Sequence, residues 1–250
     1  MKKYLFIILT LIITAKLMSN NLNSVDNPTA ALLGTGEVRI HQKIYKDNGM
    51  LIGVDVGLFD AFQFGVSYGA EQIVGNKNPE WHKYPSVKAR LRIMEETFTK
   101  PAFAIGIDTQ GHGSYHDGLK RYDIKSKGAY LVVSKNYAMM GLLGLDLGAN
   151  YTFENTDDDI AFDLFAGAYK TLGENITLFA DFSAAFNDLN GKDKPNDKIS
   201  GRGRGYLNTA IQWNITEQFA LKLLMHDLLQ NKRSTELFDR SIVLDYRWFF

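Results

Sequence analysis

Residues 242–250 alternate without a break. Ile242, Leu244, Tyr246, Trp248 and Phe250 fall on one face of an extended segment, and Val243, Asp245, Arg247 and Phe249 fall on the other, because successive strand side chains point to opposite sides of the backbone. One face is apolar and grows bulkier towards the terminus; the other carries charge. The same period of two recurs through most of the chain. Met50, Ile52, Val54, Val56 and Leu58 alternate with Leu51, Gly53, Asp55, Gly57 and Phe59, and Phe62, Phe64, Val66 and Tyr68 alternate with Gln63, Gly65, Ser67 and Gly69. An apolar face backed by glycine and polar residues suits a wall with lipid outside and a crowded or wet lumen inside. Beyond residue 15 no stretch approaches the roughly 18 apolar residues of a spanning helix, so this chain crosses a bilayer only as a closed barrel of strands.

Successive segments of this kind can be laid end to end. The first, Glu37–Tyr45, turns Arg39, His41 and Lys43 inward; the fourth, around Val87–Ile93, turns Lys88, Arg90 and Arg92 inward; the fifth contributes Asp108. The sixth, 129–136, is apolar on both faces, so its pattern assigns no phase. Asp146, Asp163 and Asp181 face inward on the seventh, eighth and ninth, Lys222 and His226 on the eleventh, and Arg247 on the last. Every second connection, at 60–61, 95–100, 137–140, 170–175 and 214–217, is short, and most of the intervening ones are longer. Short periplasmic turns and long outer loops produce that alternation. The expectation is an all-β transmembrane antiparallel up-and-down β-barrel of about 12 strands over residues 37–250.

The chain begins Met1, Lys2, Lys3 and continues with an apolar run from Tyr4 to Ala15, short for a membrane helix but suited to a signal-peptide core. Residues 1–19 are therefore expected to be a cleaved signal peptide, with the cut between 15 and 24; a retained anchor helix is the alternative. Residues 20–36, with Asn27-Pro28 and no clean period, are expected to be a periplasmic lead-in. The chain has no cysteine, which excludes a lipid-anchored cysteine, disulfides and a thiolate metal site. Its 28 basic and 28 acidic residues balance, and no affinity for nucleic acid follows.

With these phases, the inward charges segregate. Arg39, Lys43, Lys88, Arg90, Arg92, Lys222 and Arg247 form a basic arc, interrupted by Asp55 and Asp245, and Asp108, Asp146, Asp163 and Asp181 form an acidic one. Opposed walls of opposite sign set a field across a low-dielectric pore, and the basic arc, with Lys88, Arg90 and Arg92 as its constriction, is the place for an anionic sugar. Alternatively these charges pair with cross-strand neighbours and fill the lumen, since about twelve strands lie between filled barrels of about eight and open ones of sixteen. His112, Ser114, His116 and Asp117 share the loop 110–127, but without a rigid frame or a third ligand at set spacing they read as loop polarity. No catalytic residue, metal site or cofactor is expected.

The terminal Tyr246, Trp248 and Phe250 resemble the closing strand of bacterial outer-membrane β-barrels, and the resemblance implies that the barrel assembly machinery recognises these three residues. A second resemblance lies in residues 50–190. Pro85-Ser86-Val87-Lys88-Ala89-Arg90-Leu91-Arg92, Pro101-Ala102-Phe103-Ala104-Ile105-Gly106-Ile107-Asp108 and Gly128-Ala129-Tyr130-Leu131-Val132-Val133-Ser134-Lys135 are similar to the YjbH-like outer-membrane family linked to exopolysaccharide production. It implies a part in moving or anchoring surface glycan. The expected protein is a monomeric non-enzymatic barrel in the outer membrane of a diderm bacterium, passing small or polymeric anionic saccharide, with lipid and the assembly machinery as partners. A non-conducting barrel that docks partners through its loops 71–85 and 110–127 is the alternative.

Overall fold

The computed structural model describes residues 21–156, 159–189, 199–233 and 237–250; the expected signal peptide lies outside them. Twelve strands form the wall among the described residues: β1 (Glu37–Tyr45), β2 (Gly49–Leu58), β3 (Phe62–Glu71), β4 (Ser86–Met94), β5 (Ala102–Asp108), β6 (Gly128–Ala138), β7 (Leu142–Tyr151), β8 (Phe162–Leu172), β9 (Ile176–Ser183), β10 (Tyr206–Asn214), β11 (Phe219–His226) and β12 (Asp239–Phe249). Each pairs antiparallel with its neighbours in sequence, and β1 pairs with β12, with Val38 opposite Trp248 and Ile40 opposite Tyr246. The sheet therefore closes on itself, and the wall has no free edge. The expected up-and-down barrel is the observed fold. No helix among the described residues is long and apolar enough to cross a membrane.

Phase follows the alternation. Ile52, Val54, Phe64, Leu147, Leu164, Leu223 and Ile242 face outwards and are exposed, while Asp55, Gln63, Ser67, Asp146, Asp163 and Asp181 point inwards and are buried. An apolar belt of this extent around the wall fits lipid rather than water. On β6, where the sequence assigns no phase, Tyr130, Val132 and Ser134 face the lumen and Leu131 faces out. Partner strands decide this: Tyr130 sits opposite Gly106 on β5 and Asn150 on β7, both inward positions. Phase is transmitted across a ladder because paired residues share a face.

The lumen departs from expectation in two ways. Of residues 20–36, expected as a periplasmic lead-in, residues 21–33 lie inside the barrel. Residues 22–29 form a tight turn, with Asn23 bridged to Pro28, the Ser24 amide donating to the Asn27 carbonyl at 3.0 Å and the Thr29 amide donating to the Leu22 carbonyl at 3.2 Å. The chain then runs to Gly36, beside Phe250 and Gly57 at the short-turn end. The second departure concerns the inner wall, which the sequence pattern makes polar. It carries two apolar patches: Tyr169, Phe179, Ala210, Leu224 and Val243 pack on Val25, and Ala102, Ala104, Tyr130, Val132 and Phe165 pack on Ala30. The inserted segment covers what would otherwise be apolar surface facing water.

The loop 109–127 also has structure. It holds a hairpin of His112–His116 and Arg121–Ile124, which lies against the loop end of the barrel. Arg121 reaches Asp188 at 2.9 Å with both side chains buried. Asp123 is met by Lys46 at 2.5 Å, Lys232 at 2.7 Å and His116 at 2.8 Å. Burial alone would push the Asp123 carboxyl up; the His116 hydrogen bond and the two ammonium groups outweigh it and hold the carboxyl well below the usual range.

Candidate functional site

Between the inserted segment and the hairpin remains a cavity of about 150 Å³. Strand phase aims side chains of β1, β4, β11 and β12 into it, with further ones from β2, β3, β5, β9 and β10, and the inserted segment, the hairpin and the β6 approach complete the lining. Arg39, Lys43, Lys88, Lys125, Lys127, Lys222 and Arg247 line it against Asp26, Asp108 and Asp245, an excess of basic side chains that makes the lumen attractive to anions. Each of these cations already has a partner, Lys125 in Asp159 at 3.8 Å. Asp55, fully buried, is 3.2 Å from both Arg39 and Lys88; Arg39 also reaches Asp245 at 2.5 Å, and Arg247 lies 3.6 Å from Glu37. Lys127 donates to Ser183 at 2.8 Å. Buried charges are retained where they are paired or hydrogen-bonded.

The other expected pore residues do different work. Arg90 donates to the carbonyls of Leu22 and Ala31, both at 2.8 Å, and to Asn23 at 3.2 Å. Arg92 sits at the short-turn end, donating to the Asp60 carbonyl at 2.7 Å and to Glu95 at 3.0 Å. Hence Lys88 faces the cavity, whereas Arg90 is committed to the inserted segment and Arg92 to a turn; the three do not form one constriction. The acidic arc divides likewise. A single oxygen of Asp181 accepts from the amides of Val25, Asp26 and Asn27 at 3.0, 2.8 and 2.9 Å and from the Ser24 hydroxyl at 3.2 Å. Asp146 accepts from Ser134, whose hydroxyl accepts from the Ala30 amide at 2.8 Å. Asp163 accepts from the Phe186 amide at 3.1 Å. Only Asp108 of the four lines the main cavity.

Asp26, at the tip of the inserted turn, is a residue that sequence reasoning passes over. Its carboxylate is 2.7 Å from His226 Nδ1 and 3.4 Å from Lys43 Nζ. The ring of His112 stacks on that of His226 with centroids 3.9 Å apart. Donor atoms of Asp26, His112 and His226 lie within 4.8 Å of one another, close enough to suggest a metal. Two features oppose it. Stacked imidazoles do not aim both in-plane lone pairs at one point, and Lys43 Nζ, 3.0 Å from His112 Nδ1, already supplies the positive charge at that place. Of the loop histidines, His116 bonds to Asp123 and His112 lies in the cavity wall. The only sequence signal for Asp26 is its place in an Asp-Asn-Pro turn.

A closed twelve-stranded barrel with an apolar belt and a charged lumen has the outer-membrane channel fold. No protein-family model matches the chain, and no curated protein matches it. Among solved structures it is similar to the KdgM porin, with a TM-score of 0.52 and 8% identity over 86% of this chain and 99% of that one. It is also similar to the KdgM porin in complex with disordered oligogalacturonate, with a TM-score of 0.50 and 8% identity over the same shares. The NanC porin aligns with a TM-score of 0.48 and 9% identity over 85% of this chain and 99% of that one. At such identities the likeness is one of fold.

Proposed function

We propose that this protein is an outer-membrane channel that passes small or polymeric anionic saccharides without catalysis, its amino-terminal signal removed on export. The observation that carries the reading is the excess of basic side chains around the cavity, with Arg39, Lys43, Lys88, Lys222 and Arg247 as its wall-borne cations. A solute carrying carboxylates would exchange its hydration for these ammonium and guanidinium groups, and a lumen of low dielectric strengthens each such contact. A porin of the same fold has been seen with oligogalacturonate, a polyanion, and the YjbH-like resemblance suggests that the cargo is a surface glycan. Lipid around the belt and the assembly machinery at Tyr246, Trp248 and Phe250 complete the expected partners, with the barrel acting as a monomer. The test is single-channel conductance in a planar bilayer, with selectivity from the reversal potential. Anion selectivity that inverts in Lys43→Glu/Lys88→Glu supports the channel; selectivity unchanged by the pair removes them from the path.

A second reading, a non-conducting barrel that docks partners through its loops, is favoured by one observation: the loop 72–85 exposes Val74, Trp81 and Tyr84 while the lumen is filled from both ends. Deleting that loop would then abolish function in a barrel that never conducts.

A further inference from the structure

The inserted segment is bound by the same kind of chemistry that would bind the proposed solute. Its tip places the Asp26 carboxylate on the basic wall, 2.7 Å from His226 and 3.4 Å from Lys43, with the Asn208 amide also 3.4 Å away. Lys222 donates to the Ser24 carbonyl at 2.5 Å. The wall is shaped to receive the tip: a Cβ at Gly167 would stand 2.7 Å from the Ser24 hydroxyl and 3.0 Å from its Cβ, so only glycine admits this approach without a shift. Yet the segment forms no strand ladder with the wall. Leu22, Val25, Ala30, Leu32 and Leu33 of the segment are buried, and the polar part of its hold includes side-chain hydrogen bonds by Arg90, Asp181, Ser134, Lys222 and His226 and by Asn27 to the Ala166 and Phe182 carbonyls. Such polar groups can be rehydrated when the lumen is wet, unlike an apolar core. The cavity beyond the tip already has room for several waters.

We propose that residues 21–33 are an autoinhibitory plug in which Asp26 is a tethered surrogate for the carboxylate of the anionic solute, occupying the Lys43 and His226 face until solute competes for it. This rests on the channel reading above. An arriving carboxylate takes the cations, the tip loses its charge-assisted contacts, and the plug leaves its seat while remaining joined to β1 at Glu37. Because the tether makes Asp26 an intramolecular ligand of high effective concentration, the closed state dominates without solute.

Since the chain has no cysteine, one engineered disulfide can hold the plug. Ser24→Cys with Gly167→Cys puts the two Cβ positions 3.0 Å apart, and a small shift brings them to the roughly 3.5–4.5 Å of a disulfide. Conductance is recorded before and after reduction, alongside a barrel lacking residues up to 33, with β-sheet circular dichroism verifying the fold of each. The expected result is silence when oxidised, uronate-stimulated opening when reduced, and constitutive steps in the truncated barrel. Asp26→Asn should raise the open probability about tenfold, as expected for the loss of a charge-assisted hydrogen bond. An oxidised form that conducts like the reduced one overturns the plug and leaves the channel standing. Silence of the reduced form beside a conducting truncation also overturns plug release alone. A folded truncated barrel that stays silent overturns both.

Discussion

Arg90 Nη1 donates to the Leu22 carbonyl at 2.8 Å, so a wall cation in the middle of β4 binds the chain's own amino-terminal segment in place of solute. Together with Asp181 on the facing wall, it satisfies backbone groups of a segment that has no strand partner. Inserted irregular backbone is tolerated at membrane depth only when its polar groups are met in this way.

Arg90→Leu should therefore loosen the plug rather than alter selectivity. The Leu22 carbonyl keeps the Thr29 amide as a donor, whereas leaving the Ala31 carbonyl without Arg90 costs about 1–3 kcal/mol if it stays dry. Faster hydrogen exchange at residues 22–31, with an unchanged reversal potential, is the expected outcome; a selectivity change without faster exchange would put Arg90 back in the solute path.

Lys88 and Lys43 are different, since both face the cavity. Reversing each to glutamate should move the channel from anion towards cation selectivity, and the effect should shrink as salt rises, because screening lengths fall from about 10 Å at 0.1 M to about 3 Å at 1 M. Reversal potentials taken at both salt concentrations check this.

The buried Arg121–Asp188 pair anchors the hairpin over the loop end, and the Tyr206 hydroxyl also donates to Asp188. Arg121→Ala would leave a buried carboxylate without its cation, which typically costs about 3–5 kcal/mol. Denaturant unfolding should show the loss, and protease should cut within 112–124 at concentrations that spare the wild type. Resistance equal to wild type would show that the hairpin is held by something else.

Hairpin docking should tolerate mild acid. The folded Asp123 carboxyl is held below its ordinary value, so its contribution is fully present above the unfolded pKa of about 3.9 and is lost only as pH falls through the lower folded value. Exchange protection of residues 112–124, corrected for intrinsic rates, should be the same at pH 7 and pH 5. In Asp123→Asn it should already be reduced at pH 7.

Removing Phe250 should lower the amount of barrel in the outer membrane without changing the conductance of barrels that do insert. Tyr246, Trp248 and Phe250 are exposed on the outer face of the seam, where they carry no lumen contact. Immunoblots of membrane fractions measure the amount; equal yields would remove the three residues from assembly.

Strand phase was legible because it is local: a period of two is written into each segment, and one buried face leaves one register. That is why Asp55, Asp146, Asp181 and Lys222 face inwards as read, and why only β6, apolar on both faces, needed its neighbours to be placed. What each inward charge faces was not legible. A lumen enclosed by twelve strands is wider than its own side chains fill, and its occupant is drawn from residues more than 150 positions away, as in Asp26 with Asp181 and Ser24 with Lys222. No pattern in residues 21–33 marks them as that occupant. The alternation of the chain by itself determined a closed wall with charge inside; tertiary structure decided that Arg90 and Asp181 hold a plug, that Lys43 and Lys88 face the cavity, and that Asp26 lies among them, because filling a volume depends on distant segments meeting and not on the period of any one strand.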